Sequence, residues 1–402
     1  MDIDFEHILQ LRNSGNYSEA LNILDIHIHE LENTYIFATS IEYIPESISL
    51  LYAKCLGQKA IVYRYLGDFD KAKKLTLSAI PFAEQGNDKE LVALLISDIG
   101  VFQFKIGNIK DAERNLKKSL RQLEALGSIE KATIVKINYA CMLQHRGEFE
   151  QCLPLFKQAL SYLEQKPESS DLGSLLTNIA YAYENLGKKE LALLTYNRAG
   201  ELLLRINAIP MYILTSLNLV SFYNEEEMFE LSKSTLDSIE HYIPTDEISI
   251  ERIDFLLHYT GYFIGIKQIE NAVSILNQID SIDQSIIEPE TKIYVFMLWS
   301  KVCIANMELE KAKQFVISIE EELQQYDKPE LEPHLYWTKG TIAYLEKDYE
   351  LAVKYVYKGI NECTFSKPGT KIYRELQKLL SEIYAMFEDK ELLTRHKFDL
   401  TT

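Results

Sequence analysis

The chain has 402 residues, 47% hydrophobic and 25% charged, and its 60 acidic against 42 basic side chains give a formal charge of -18. That charge repels a phosphate backbone and excludes nucleic acid as the expected ligand, while the lack of a leader or a membrane-length apolar run predicts a cytosolic protein away from membranes. Five cysteines without a C-x-x-C pair fit neither a disulfide framework nor a zinc site, and 16 Gly and 10 Pro leave little material for loops.

Taken from the N-terminus, a small residue recurs: Ala20, then Ala72, Ala112, Cys152, Ala192, Ser232, Ala272, Ala312, Ala352 and, weakly, Leu392. From Ala72 onward each step is forty residues, whereas the first is fifty-two. The first repeat, 1–52, therefore carries an insertion of about twelve residues, expected between Glu32 and Pro45 as a longer helix or a loop. A second small or modest column lies twelve positions earlier, at Ala60, Gly100, Ala140, Ala180, Val220, Thr260, Ser300 and Gly340. Two such columns predict helix pairs in close contact, locked by larger neighbours such as Tyr63, Tyr183, Tyr223 and Phe263 on first helices and Phe69, Phe149, Phe229 and Tyr349 at the turns.

Turn residues share the period. Gly15, Gly67, Gly107, Gly147 and Gly187 fall where a first helix must end; Glu227, Lys267, Met307 and Lys347 take that place later, at up to about 1 kcal/mol each if the left-handed backbone is kept. Nine prolines, Pro81 among them, are expected between a second helix and the next first helix, with only Pro154 in a helix, within its first turn. Repeats fill the chain as one domain, 1–402, ending in a capping repeat at 373–402 whose Lys390, Glu391, Arg395, His396 and Lys397 suit a solvated helix.

The clearest unit runs from Leu175 to Gly200, LLTNIAYAYENLGKKELALLTYNRAG: Leu176, Ile179, Ala180 and Tyr183 share a helical face, Gly187 stops the helix, and Ala192, Tyr196 and Ala199 begin a second. The recurrence of GDFDKA, GNIKDA, GEFEQC and GKKELA resembles the tetratricopeptide-repeat superfamily, in the forty-residue style of maltose-regulon-type activators and kinesin light chains. The fold expected is all-α, a solenoid of about ten antiparallel helix hairpins. The resemblance implies a right-handed superhelix whose first helices line a concave groove for peptides or protein segments, with no catalysis of its own. Physically, a lone hairpin cannot bury both apolar faces, so stacked neighbours supply the missing burial.

One polar column stands out on the first helices: Gln58, Asp98, Asn138, Asn178, Asn218 and His258. Asn offers a donor and an acceptor, matching the amide of an extended peptide, and the column resembles the asparagine ladder of peptide-binding members of the superfamily. The competing explanation is that these amides bridge adjacent helices and satisfy one another. Phe104, Gln144, Tyr181 and Asn185 complete the expected peptide-binding set, beside Val101, Lys105, Cys141, His145, Glu184, Asn224 and Glu225. Glu184, Asn224 and Glu225 favour a basic residue on the peptide, whereas the neighbouring Ile134, Ile137, Ser174, Thr177, Leu214 and Leu217 lack the cations that capture a C-terminal carboxylate.

There is no Walker loop, dinucleotide fingerprint, H-E-x-x-H or G-x-S-x-G, and His27 and His29 lie two apart on a helix and do not face each other. Catalytic residues, metal ligands and cofactors are therefore not expected. The reading is a non-catalytic scaffold or sensor in signalling or regulation; the alternative is the regulatory part of a transcription factor or effector enzyme whose output module lies outside these residues or is supplied in trans.

Overall fold

The computed structural model describes residues 3–13, 15–36, 41–244, 249–283, 287–326, 331–363 and 371–386. Within them the ordered elements are all helical. The chain divides into two compact units, 1–142 and 143–402. In the first, α1 (Phe5–Asn13) packs on α2 (Tyr17–Leu31), α3 (Glu46–Tyr65) on α4 (Phe69–Gln85), and α5 (Lys89–Lys105) on α6 (Ile109–Ala125). Helix α7 (Ile129–His145) runs through the division between the units. The second unit continues with α8 (Phe149–Leu163), then the pairs α9 (Ser170–Asn185) with α10 (Lys189–Arg205) and α11 (Ile209–Glu225) with α12 (Phe229–Glu240). There follow α13 (Ile250–Gly265) with α14 (Ile269–Asp280), α15 (Pro289–Ala305) with α16 (Leu309–Gln325), α17 (Glu332–Leu345) with α18 (Tyr349–Glu362), and α19 (Lys371–Met386).

Close contact explains the two small columns. Ala20, Ala72, Ala112, Cys152, Ala192, Ser232, Ala272, Ala312 and Ala352 are all fully buried, as are Ala140, Ala180, Val220, Thr260 and Ser300 in the other column. A Cβ on Gly100 would lie 2.9 Å from Leu116 Cγ and 3.1 Å from the Ala112 carbonyl oxygen, so α6 meets α5 backbone to backbone at that level. Phe69, Phe149, Phe229 and Tyr349 each form the first residue of a second helix. Phe149 meets Tyr181 edge-on at 6.0 Å and Phe229 meets Tyr262 at 6.4 Å, so the aromatics are packing.

The turns are more uniform than the glycine pattern suggests. Gly67, Gly107 and Gly187 adopt φ of 76°, 80° and 71°, and Glu227, Lys267, Met307 and Lys347 hold the same left-handed geometry at 58–64°. Asn87, Gly127 and Asn207, at φ of 53°, 69° and 57°, build that turn again between hairpins. The hydrogen bonds agree: Asp68 N–H donates to the Tyr63 carbonyl at 2.9 Å within a hairpin, and Asp88 N–H to the Ala83 carbonyl at 3.1 Å between hairpins. Asp68 and Asp88 then cap the next helices through Lys71 N–H (3.0 Å) and Leu91 N–H (2.9 Å). From Gly67 to Gly127 the operative step is thus twenty residues, one helix and one turn.

Two proline assignments are corrected. Pro81 lies inside α4, and Pro154 is the sixth residue of α8, beyond its first turn. The carbonyl that Pro81 leaves without a helical donor belongs to Leu77, a residue 49% exposed, so the lost bond falls on the solvent side of α4. Pro210, Pro289 and Pro333 occupy the first turns of α11, α15 and α17; Pro329 and Pro368 lie outside the described residues. The insertion in the first repeat continues α2 as a π-helical turn, Glu32–Ile36, and resumes with a 3₁₀ turn, Ile41–Tyr43. The expected capping residues Lys390 to Lys397, like Leu392, lie outside the described residues.

Candidate functional site

The polar column falls on first helices at equivalent, half-buried positions: Gln58 on α3, Asp98 on α5, Asn138 on α7, Asn178 on α9, Asn218 on α11 and His258 on α13. In the first unit, Gln58 Oε1 accepts a bond from Arg12 Nη1 at 2.9 Å, and Asn138 Nδ2 donates to Ser97 Oγ over a long 3.4 Å. Phe104 is half-buried six residues beyond Asp98. Asp98 has no hydrogen bond or ion pair among the described residues. Burial pushes its carboxyl up to about 6, against the opposing pull of Arg64 and Arg12.

Arg12 was missed at the sequence level, although it is the single Lys or Arg in residues 1–50. Its guanidinium stands 6.0 Å from the Tyr65 ring, which also stacks on Tyr17 at 5.7 Å and carries Arg64 at 5.2 Å. Burial lowers the Arg12 pKa, and its buried Nε makes no hydrogen bond among the described residues.

In the second unit, Asn218 is half-buried and makes no hydrogen bond among the described residues, and Gln144 Oε1 is buried in the same condition. Asn185 Nδ2 donates to the Tyr181 carbonyl at 2.9 Å, turning back onto its own helix. Tyr181 keeps 37% of its surface exposed, and burial of its hydroxyl, with Glu184 and Glu225 nearby, raises its pKa to about 12. Glu184 accepts from the Tyr196 hydroxyl at 2.9 Å, and Asn224 Oδ1 from Ser232 Oγ at 2.7 Å. His258 Nδ1–H donates to the Asp254 carbonyl at 2.7 Å, and burial lowers its pKa and favours the neutral ring. The bridge between neighbouring first helices that the sequence did not suggest is Thr177 with Thr215, hydroxyl to hydroxyl at 2.8 Å across α9 and α11. It lies beside the asparagines and already joins those helices.

The raised Asp98 pKa has a measurable consequence. The ordinary carboxyl titrates near 3.9 and the folded one near 6, so folding favours the protonated form. Ionisation of Asp98 opposes folding fully above pH 6, and the opposition fades as pH falls toward 4. Asp98→Asn is therefore expected to stabilise the chain at pH 7.5 by on the order of 1–2 kcal/mol and to match wild type near pH 4. Thermal unfolding of both proteins across pH 4–8 checks this; a constant difference at all pH values would sink it.

Among the described residues no group of three or more His, Cys, Asp or Glu side chains could hold a metal ion, and no helix is long and apolar enough to cross a membrane. The five cysteines are free thiols, with Cys55 and Cys141 pushed up to about 12 and about 11 by burial.

Hairpins of this length, small-residue contacts and left-handed turns define an all-α helical-repeat fold, and the tetratricopeptide repeat family model matches residues 173–202, from α9 into α10. No curated protein matches the chain. Among solved structures it is similar to the apo form of the quorum sensor NprR from B. thuringiensis, with TM-score 0.57 and 16% identity over 93% of this chain and 97% of that one. NprR in complex with its cognate peptide NprX gives TM-score 0.54 and 16% identity, over 84% of this chain and 98% of that one. At such identity the likeness is one of fold.

Proposed function

We propose that this chain is a non-catalytic, regulatory binding protein that takes an extended peptide or partner segment along the exposed face of its first helices. In the second unit Asn178, Asn218, Gln144, Tyr181 and Asn185 contact that segment; Gln58, Asp98, Asn138 and Phe104 are the equivalent set in the first. The observation that carries the reading is Gln144 Oε1, a buried amide oxygen with no hydrogen-bond partner among the described residues; Asn218, a half-buried amide on another first helix, also makes no hydrogen bond there. A buried acceptor such as Gln144 Oε1 is almost always paired, and a bound segment would supply the missing donor. A peptide backbone supplies both a donor and an acceptor to such an amide. The likeness to NprR, solved with its cognate peptide, supports the same use of the fold.

The test is affinity capture from native lysate with mass spectrometry of bound peptides and proteins, comparing wild type with Asn178→Ala/Asn218→Ala. Two lost neutral hydrogen-bonding groups, at about 0.5–1.5 kcal/mol each, predict binding about 10- to 100-fold weaker with helical circular dichroism unchanged. Equal recovery of the same species by both proteins overturns the reading.

A further inference from the structure

On helix α6, Lys110, Arg114, Lys117, Lys118 and Arg121 follow one another at i, i+4, i+7, i+8 and i+11 and are all exposed. At 3.6 residues per turn this spacing gathers them into a sector about 100° wide and about 16 Å long. The opposite side of the helix, Ala112, Leu116, Ser119 and Leu123, is buried. Arg114 pairs with Asp111 at 2.7 Å and Lys117 with Glu113 at 2.5 Å, but Lys110, Lys118 and Arg121 have no ion pair among the described residues. The side chains of Arg114, Lys117, Lys118, Arg121 and Gln122 flank an open surface hollow lined mostly by their aliphatic stems.

Such a stripe is unfavourable for the helix itself. Like charges meet at 110/114, 114/117, 114/118, 117/121 and 118/121, and each pair destabilises a helix by about 0.2–0.5 kcal/mol. It also departs from the chain around it. Residues 51–142 hold 15 basic and 10 acidic side chains, whereas residues 143–402 hold 26 basic and 41 acidic. The total of -18 conceals this reversal of sign.

We infer that the outer face of α6 docks an acidic helical segment of a separate partner protein, with carboxylates spaced one helical turn apart against the five cations. Charge complementarity selects that occupant. Duplex nucleic acid carries a charge about every 1.7 Å and would run well past a 16 Å stripe, whereas a protein segment can end where the stripe ends. No second helix of residues 143–402 presents acids at all five equivalent positions, which argues against another copy of this chain as the source. This surface is separate from the first-helix face proposed above.

The experiment uses a fluorescein-labelled helical peptide with glutamates one turn apart, read by fluorescence anisotropy at 50 and 200 mM salt. The full chain is compared with Lys110→Gln/Lys118→Gln/Arg121→Gln, which leaves both ion-paired cations in place. Expected are binding by wild type that weakens with salt, at least a tenfold loss in the triple variant with unchanged circular dichroism, and no loss in Asn178→Ala/Asn218→Ala. Equal binding by the triple variant overturns the inference, as does no binding by wild type. Loss in the asparagine variant would move the peptide to the first-helix face. Tighter binding of an equally charged single-stranded oligonucleotide would make the stripe a nucleic-acid site, and salt-dependent self-association of wild type alone, abolished in the triple variant, would make it a self-assembly face; each replaces the partner inferred here.

Discussion

Gly100→Leu should lower the unfolding free energy by about 3 kcal/mol, the upper end of the usual overpacking penalty. The reason is local and specific. The first added carbon would already sit 2.9 Å from Leu116 Cγ, 3.1 Å from the Ala112 carbonyl oxygen and 3.3 Å from the Leu116 nitrogen. Two of those atoms are backbone and cannot turn aside, so α5 and α6 must separate. Gly200 provides the internal contrast: it lies within α10, and a Cβ there meets only Tyr212 Cε2 at 3.8 Å. Gly200→Ala is expected to stabilise by up to about 1 kcal/mol through helix propensity. Urea denaturation of the two variants should move in opposite directions, and a Gly100→Leu midpoint equal to wild type would contradict the described contact between α5 and α6.

Replacing Glu227, Lys267, Met307 and Lys347 together by glycine should stabilise the chain by about 2–4 kcal/mol. All four hold φ between 58° and 64°, where an L side chain crowds its own backbone at about 1–2 kcal/mol, partly offset by the greater freedom of glycine when unfolded. They lie in four different hairpins, so the gains should add. The single-glycine variants should each account for about a quarter of the shift in urea midpoint. An unchanged midpoint for the quadruple variant would mean that these turns do not hold the left-handed backbone in solution.

The two small columns were legible because close helix contact admits few side chains: Ala72 or Ala192 at a crossing is a steric demand visible in the sequence. The same logic exposed Gly67 and Gly187, but it concealed Asn87 and Asn207, which tolerate positive φ without being glycine and so hid the twenty-residue turn. Pro81 misled for the opposite reason. Its missing N–H matters little opposite an exposed residue, and exposure is a tertiary property. In the candidate site the positions Asn138 and Asn218 could be read from spacing, whereas their partners could not. Whether an amide reaches Ser97 or nothing depends on side-chain rotamers and on helix separation, which a repeat period does not encode. The α6 stripe escaped because a net charge averages over surfaces that face different ways.

The identity of the turns at Gly67 and Asn87 bears on how such a chain changes length over generations. From Gly67 to Gly127 a cut at either kind of joint leaves the same backbone ends, so there a duplicated or deleted block of forty residues can start at a first or a second helix and rejoin without a new loop. A block of twenty would also rejoin, but it would set a first helix where a second belongs and present the half-polar Asn column to a neighbour. Over that stretch gene duplication is therefore free in its starting point and constrained only in its multiple.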